Sequence, residues 1–224
     1  MDPRLRTAVD ASVQWYDDVF ALHGVPTAVQ DGLWTALGPP PAWHSAVKTV
    51  EPDADVPGVL RAMELHEHGS VADSFGRLDL APHGFDLLID ARWLHRPAAT
   101  RTGGLPPGWS VVTQPGLLDD WNEHNETTTV LLPPLLDHPH FTFLARHEGD
   151  LLTAGAVLHV AGPTALLSNS WSIPGRDLDL REVVACLDAL HPGVPAIDYA
   201  WDEELAALRD LGFDPVGPQR VWIR

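Results

Sequence analysis

Hydrophobic and polar positions follow a clear order over residues 151–190 of the chain. Leu151–Val160 and Thr164–Ile173 are mostly apolar, and the Ala-Gly-Pro sequence between them is typical of a turn. A short polar loop follows, and apolar residues then recur at helical spacing over residues 180–187. The pattern predicts two strands, a loop and a helix in this stretch.

The rest of the sequence alternates between helical and strand patterns. A helix is predicted over Leu5–His23, whereas Pro26–Pro41 is predicted to be irregular because of its prolines and glycines. Further helices are predicted at residues 56–65, 117–124 and 202–211, and further strands at 44–50, 70–80, 84–95, 109–113, 141–146, 195–201 and 220–223. This mixture predicts an α+β protein with a mixed central sheet flanked by helices.

Residues 97–108 have the composition of a linker. The segment is rich in proline, glycine, threonine and alanine and has no hydrophobic period. It divides the chain into a smaller N-terminal α/β region, residues 1–100, and a second domain, residues 109–224. The element order after Trp109 is strand, helix, strand, hairpin, strand, loop, helix, strand, helix, strand.

The composition excludes several classes of partner. The 224 residues are 45% hydrophobic, which is enough for a packed core, and the formal net charge is −17. Such a charge argues against nucleic acid and anionic membrane surfaces as partners. Cys186 is the only cysteine, and the sequence has neither a signal peptide pattern nor a long apolar run. We therefore predict a cytoplasmic protein without disulfide bonds.

The sequence Leu-Gly-Phe-Asp-Pro-Val-Gly ends the predicted helix at residues 202–211. Together with the element order after Trp109, it resembles the GNAT N-acetyltransferase superfamily, whose penultimate helix commonly ends in a Gly-Phe pair, here Gly212-Phe213. The resemblance implies a GNAT-like fold for residues 109–224 and acetyl-CoA as cosubstrate. Residues 1–100 are then either an added domain or a decayed second copy of that fold.

The loop after the strand Thr164–Ile173 lies where the family places the pyrophosphate of acetyl-CoA. A Gly-bearing loop before a helix presents unpaired amides to phosphate, although the same residues also fit an ordinary strand–turn–helix crossover. The resemblance implies that this strand and loop hold the cofactor and polarise its thioester. The residues assigned to this role are Asn169, Trp171, Ser172, Ile173, Gly175 and Arg176. The loop lacks the second small residue that is usual in the family.

Acetyl transfer to an amine also needs groups that move protons. The resemblance points to Asp198 and Tyr199 on the next strand and to His159 on the hairpin, although each also suits a purely structural role. Many family members have a tyrosine where this chain has Leu208, and leucine cannot protonate the departing thiolate.

The sequence supports two hypotheses about the function. The first is an acetyl-CoA-dependent N-acetyltransferase whose acceptor is a small-molecule or peptide amine. The second is a non-catalytic acyl-CoA-binding or protein-interaction module that kept the fold. The histidine pairs His66/His68 and His138/His140 have no evident further ligand nearby in the sequence, so no metal site is predicted.

Overall fold

The computed structural model describes residues 1–99 and 103–224, so residues 100–102 of the predicted linker lie outside the described residues. The chain divides into two compact units. The first consists of residues 1–94, 199–205 and 215–224, and the second of residues 95–198 and 206–214. Within the described ranges, the longest helices are too short or too polar to cross a membrane.

The described residues form five helices and eleven strands. The N-terminal part contains α1 (Pro3–Leu22), β1 (Thr27–Gln30), β2 (Leu33–Ala36), β3 (Val47–Thr49), α2 (Val56–Met63), β4 (Ser70–Asp73) and β5 (Asp86–Arg96). The remainder contains β6 (Trp109–Val111), α3 (Pro115–Asn125), β7 (Phe141–Glu148), β8 (Leu151–Val160), β9 (Ala165–Ser172), α4 (Leu180–Leu190), β10 (Ala196–Ala200), α5 (Asp202–Asp210) and β11 (Asp214–Ile223). Short 3-10 turns lie at 81–83 and 133–137.

Each unit contains a mixed set of strands. In the first unit the order is β1-β2-β3-β4-β11-β5, with β3 and β4 parallel and the pairs β1–β2, β2–β3 and β4–β11 antiparallel. In the second unit the order is β10-β9-β8-β7-β6, with β10 and β9 parallel and the other pairs antiparallel. The predicted α+β class with a mixed sheet flanked by helices is confirmed.

Capping residues in the sequence decide where helices begin and end. The carboxylates of Asp2, Asp55 and Asp179 accept backbone amides in the first turns of α1, α2 and α4. After α5, Gly212 adopts a left-handed φ of 86°, and the amide of Phe213 donates to the carbonyl of Leu208 at 3.1 Å. The Gly-Phe pair therefore ends the helix as the motif predicted.

The prediction that Pro26–Pro41 is irregular is wrong, because β1 and β2 form a hairpin there. The two-residue turn is Asp31-Gly32, with φ values of 52° and 76°. Both central residues of a type I′ turn need positive φ, and Asp-Gly is a favoured pair for it. The prolines lie outside the strands, so they do not interrupt the ladder.

The C-terminal strand joins the first unit. Residues 220–223 of β11 pair with residues 73–70 of β4, and Trp222 packs into the cluster that includes Val71 and Met63. The first compact unit thus includes residues 215–223 of β11, and the division into residues 1–100 and 109–224 stays a prediction. Hydrophobic pattern predicts a strand, but it does not specify the strand with which it pairs.

Lys48 on β3 is the only lysine in the sequence, and it is buried. Its Nζ donates to Ser12 Oγ at 3.0 Å and lies 4.1 Å from the centroid of the Tyr16 ring. Within the described ranges no carboxylate pairs with it. Burial lowers the pKa of Lys48 from 10.5 to about 7.

We expect Lys48 to make the stability of the protein depend on pH. Between pH 7 and 10.5 the unfolded chain holds a proton on Lys48 that the folded chain has lost. The free energy of unfolding therefore rises with pH across this window, by up to about 1.4 kcal/mol per pH unit. Urea denaturation should show this rise, and the Lys48→Met variant should lose it.

The single lysine also allows a direct check. Carbon-13 labelling of lysine gives one side-chain resonance, whose titration reports the pKa of Lys48 in the folded protein. A folded-state pKa near 10, or an unchanged slope in Lys48→Met, contradicts the expectation.

Candidate functional site

Strands β9 and β10 separate soon after they begin to pair. In the described chain their parallel pairing consists of Ala165 with Ala196 and Leu166 with Ile197. Strand β9 then continues as far as Ser172, bonded to β8 on its other side. Beyond Leu166 the described strand β9 therefore has no ladder pairing on the side of β10, which leaves an edge there.

A β-bulge interrupts β9 in this open stretch. Gly155 of β8 pairs with Trp171 and Val157 pairs with Ser168, so two residues, Asn169 and Ser170, lie opposite one residue of β8. Asn169 has a left-handed φ of 52°. A bulge leaves its extra residue outside the regular ladder and redirects the neighbouring side chains. Asn169 and Ser170 are both half-buried, so the bulge reaches the surface.

A chain of side-chain hydrogen bonds ties the bulge to the end of α3. Asn125 Nδ2 donates to Asn169 Oδ1 at 3.0 Å, and Asn169 Nδ2 donates to Ser168 Oγ at 2.9 Å. Asn125 Nδ2 also lies 3.3 Å from Thr127 Oγ1, which donates to Asn122 Oδ1 at 2.8 Å. The side-chain amide of Asn169 therefore has two hydrogen-bond partners, and these bonds support the left-handed backbone conformation of the residue.

Aromatic side chains pack directly behind the bulge. The rings of Trp121 and Trp171 meet edge to face with centroids 5.6 Å apart, and Trp121 Nε1 donates to the carbonyl of Leu144 at 2.9 Å. A Cβ at Gly155 would overlap Trp121 and lie 2.6 Å from Trp171 Nε1. The ring of His124 stacks on that of Trp171, with centroids 5.2 Å apart and ring planes inclined by 29°.

The loop between β9 and α4 is a tight turn. The amide of Arg176 donates to the carbonyl of Ile173 at 3.1 Å, and Gly175 has a φ of 81°. Ser172 Oγ donates to the carbonyl of Arg176 at 2.9 Å, which closes the turn. The amide of Ile173 donates to the carbonyl of Thr153 at 3.0 Å, so that amide is already engaged.

The charged groups around this loop are largely paired with one another. Arg176 Nη2 lies 3.1 Å from Glu148, which also lies 3.4 Å from Arg146 Nη1. Asp179 accepts the amide of Arg181 at 2.9 Å and so occupies the N-terminus of α4. An anion that binds here must compete with Glu148 for Arg176 and with Asp179 for the helix.

The structure does not bring the three predicted proton-transfer residues together. Asp198 is half-buried and directly follows Ile197, the last paired residue of β10. Tyr199 points to the opposite face, as neighbours in a strand do, and its exposed ring lies 5.5 Å from that of Trp93. His159 is buried with its ring 4.8 Å from that of Phe141, level with the closed part of the strand pair.

The proton-transfer roles of Asp198, Tyr199 and His159 stay predictions, as do the cofactor-binding roles assigned from the sequence. Leu208, at the position of the usual tyrosine, is fully buried.

Sequence reasoning missed the contribution of α3. His124 and Asn125 belong to the stretch Trp-Asn-Glu-His-Asn, whose tryptophan is in the core. A run of polar residues at the end of an amphipathic helix was its only signal, and such a run is usually a solvated surface. The contact of His124 and Asn125 with β9 depends on tertiary packing, which cannot be predicted from the helical periodicity of the sequence.

Solved structures share this fold. No family model matches the sequence, and no curated protein matches it. A GCN5-related N-acetyltransferase from Kribbella flavida is 15% identical, with a TM-score of 0.65 and coverage of 95% of this chain and 94% of that chain. A GNAT-family acetyltransferase structure from Novosphingobium aromaticivorans is 15% identical, with a TM-score of 0.58 and coverage of 93% and 95%.

An N-myristoyltransferase from Saccharomyces cerevisiae, solved with bound myristoyl-CoA, also aligns with the chain. It is 11% identical, with a TM-score of 0.53, and the alignment covers 89% of this chain and 64% of that chain. At these identities the likeness establishes the fold alone. The chain has the fold of the GNAT N-acetyltransferases, an acyltransferase fold, and the resemblance predicted from sequence is confirmed at that level.

We expect Gly155→Ala to destabilise the second unit. The added methyl group overlaps both indoles behind the bulge, and overpacking of this kind costs about 1–3 kcal/mol. Gly162→Ala is the matched control, because no atom lies within 4 Å of its added Cβ and its φ is not left-handed. Urea denaturation of both variants measures the difference. Equal stability of the two variants contradicts the packing described here.

Proposed function

We propose that the protein is an acetyl-CoA-dependent N-acetyltransferase whose acceptor is a small-molecule or peptide amine. The observation that carries the proposal is the separation of β9 from β10 after two residue pairs, with a bulge at Asn169 in the open stretch. An acyl carrier can lie between the diverging strands and bond to the free edge of β9.

The bulge suits the thioester carbonyl. Developing negative charge on that oxygen needs a fixed backbone amide. The bulge at Asn169 and Ser170 takes an amide out of the regular ladder, whereas the amide of Ile173 is already engaged with Thr153. We therefore assign the oxyanion donor to the bulge and place Trp171 and Ser172 along the pantetheine.

The turn around Gly175 and Arg176 is the proposed pyrophosphate site. It precedes the N-terminus of α4, where the helix dipole favours an anion. Arg176 belongs to the turn, is about half exposed and pairs with Glu148. Binding of pyrophosphate in this arrangement requires Arg176 to exchange its carboxylate partner for phosphate.

Two proton transfers complete the reaction. The amine nitrogen attacks the thioester carbon, the C–S bond breaks, the nitrogen loses protons and the CoA thiolate gains one. Asp198 and Tyr199 are proposed for these transfers, with Tyr199 able to protonate the thiolate that Leu208 cannot. The burial of His159 beside Phe141 supports a packing role for it more strongly than a catalytic one.

We also propose that the N-terminal region is a second, decayed copy of the same fold. Helix α1 precedes the antiparallel strands β1-β2-β3, and α2 leads to β4, which pairs in parallel with β3 through two residue pairs. The second unit repeats this plan with α3, β7-β8-β9, α4 and β10. Strand β3 is only three residues long, so we assign the chemistry to the domain that begins at Trp109.

A non-catalytic acyl-CoA-binding or protein-interaction module is the second candidate. The buried Leu208 and the acidic surroundings of the loop favour it, because they remove one acid and oppose pyrophosphate. Either function fits a reducing compartment such as the cytoplasm, since Cys186 is the only cysteine in the sequence and is buried.

Thermal unfolding with acyl carriers tests the proposal. At a concentration one hundred times the dissociation constant, acetyl-CoA should stabilise the protein by about 2.7 kcal/mol, and free CoA and myristoyl-CoA serve as comparisons. Release of CoA thiol across a panel of primary amines then reports turnover. A shift without turnover favours the binding module, and no shift with any of the three ligands contradicts CoA binding altogether.

We expect substitutions at the loop to change CoA affinity in opposite directions. Arg176→Ala should weaken binding about tenfold or more, because a charged hydrogen bond to phosphate is lost. Glu148→Gln should strengthen binding, because it releases Arg176 and removes a negative charge. Arg209→Ala is the matched control, since this exposed arginine lies on α5. Titration calorimetry measures all three, and an unchanged Arg176→Ala affinity removes Arg176 from the site.

A further inference from the structure

The imidazole of His124 lies beside the bulge of β9 on an otherwise acidic helix surface. We propose that His124 accepts the first proton of the acceptor amine, which reaches the thioester from the α3 side as an ammonium ion. This assignment rests on the proposed acetyltransferase function and adds to it a catalytic residue and a substrate charge.

Two adjacent residues fix the end of α3 against the bulge. Asn125 donates to Asn169 at 3.0 Å, and the ring of His124 stacks on Trp171, the residue that follows the bulge. Trp171 is only 8% exposed and is itself held by Trp121. The imidazole therefore has a defined plane beside the strand, while its own position remains exposed to solvent and to an incoming amine.

Strand register places α3 and α4 on opposite faces of the second unit. Trp121 of α3 packs over Gly155, and Gly155 pairs with Trp171. The neighbouring residues Ala154 and Ser172 lie on the other face, and the strand register places Trp109 on that face as well. Trp109 Nε1 donates to Glu182 of α4 at 2.8 Å, so α4 packs on this other face. The proposed pyrophosphate turn leads into α4, so the α3 face is the one left for the acceptor.

Asp198 is separated from the acceptor by this arrangement. Ile197 pairs with Leu166, so Asp198 shares the face of Leu167, which is opposite to the face of Trp171. An amine that approaches along α3 meets His124 before it passes the strand. The titratable groups on α3 near His124 are Asp119, Asp120, Glu123 and the helix-terminal Glu126, and the facing segment 168–172 of β9 contributes none.

The chemistry requires two separate proton transfers from the acceptor. An ammonium ion must lose one proton before its nitrogen has a lone pair, and a neutral imidazole nitrogen can accept that proton. The free amine attacks the acetyl carbon, the C–S bond breaks, and the second nitrogen proton is relayed through Tyr199 to the departing thiolate. The carboxylates of α3 attract a cation and repel an anion, which favours a positively charged acceptor.

The test compares His124→Phe with the wild-type protein. Phenylalanine retains a ring to stack on Trp171 but cannot accept a proton. We expect kcat/KM for the amine to fall by about 10²–10⁴ at pH 7 and to recover at high pH, where the acceptor is already deprotonated. The thermal shift with acetyl-CoA should be unchanged, and His83→Gln, at another exposed histidine, should behave as the wild type does.

The outcomes separate this assignment from the proposed function. Wild-type turnover with the same rate and pH profile in His124→Phe overturns the role of His124 alone. A rate loss that persists at high pH indicates a structural effect and overturns the role as well. Absence of wild-type turnover with every amine overturns the acetyltransferase proposal and the assignment with it.

Discussion

The hydrogen bond between Asn125 and Asn169 joins the two parts of the second unit on which the candidate site depends. Asn169 holds a left-handed backbone in the middle of a strand, and a side chain at positive φ needs local support. The amide-to-amide contact supplies that support and also sets the distance between α3 and β9. Trp121 and Trp171 can pack behind the bulge only because Gly155 has no side chain. The site is therefore a product of packing on one face of β8 and β9.

Charge imposes a second constraint on the molecule. The formal net charge is −17, yet the turn proposed for pyrophosphate retains Arg176 within reach of Glu148. The pair is partly exposed, so solvent screens it and exchange of one anion for another is inexpensive. The same excess of carboxylates surrounds His124 on α3, and it is the basis of the proposed cationic acceptor. Carboxylates thus border both the turn after β9 and the end of α3.

The positions of most helices and strands followed from the sequence, because capping residues and hydrophobic period are local signals. Asp55 and Asp179 begin helices α2 and α4, and Gly212 ends helix α5 as the motif predicted. The hairpin around Asp31-Gly32 was missed because neighbouring prolines concealed a favourable turn pair. The length of β4 was overestimated, since it ends at Asp73, whose carboxylate accepts the amides of Phe75 and Leu78 and turns the chain.

The sequence by itself determined the α+β class, the resemblance to the acyltransferase fold, and the strand–loop–helix segment that contains Gly175 and Arg176. Only the tertiary structure decided that β9 bulges, that it leaves β10 after two pairs, and that His124 and Asn125 lie against it. The physical reason is that local pattern encodes which face of an element is buried. The pairing of strands and the position of a helix end over a strand arise from contacts between residues distant in the chain, such as Asn125 and Asn169, which are 44 positions apart.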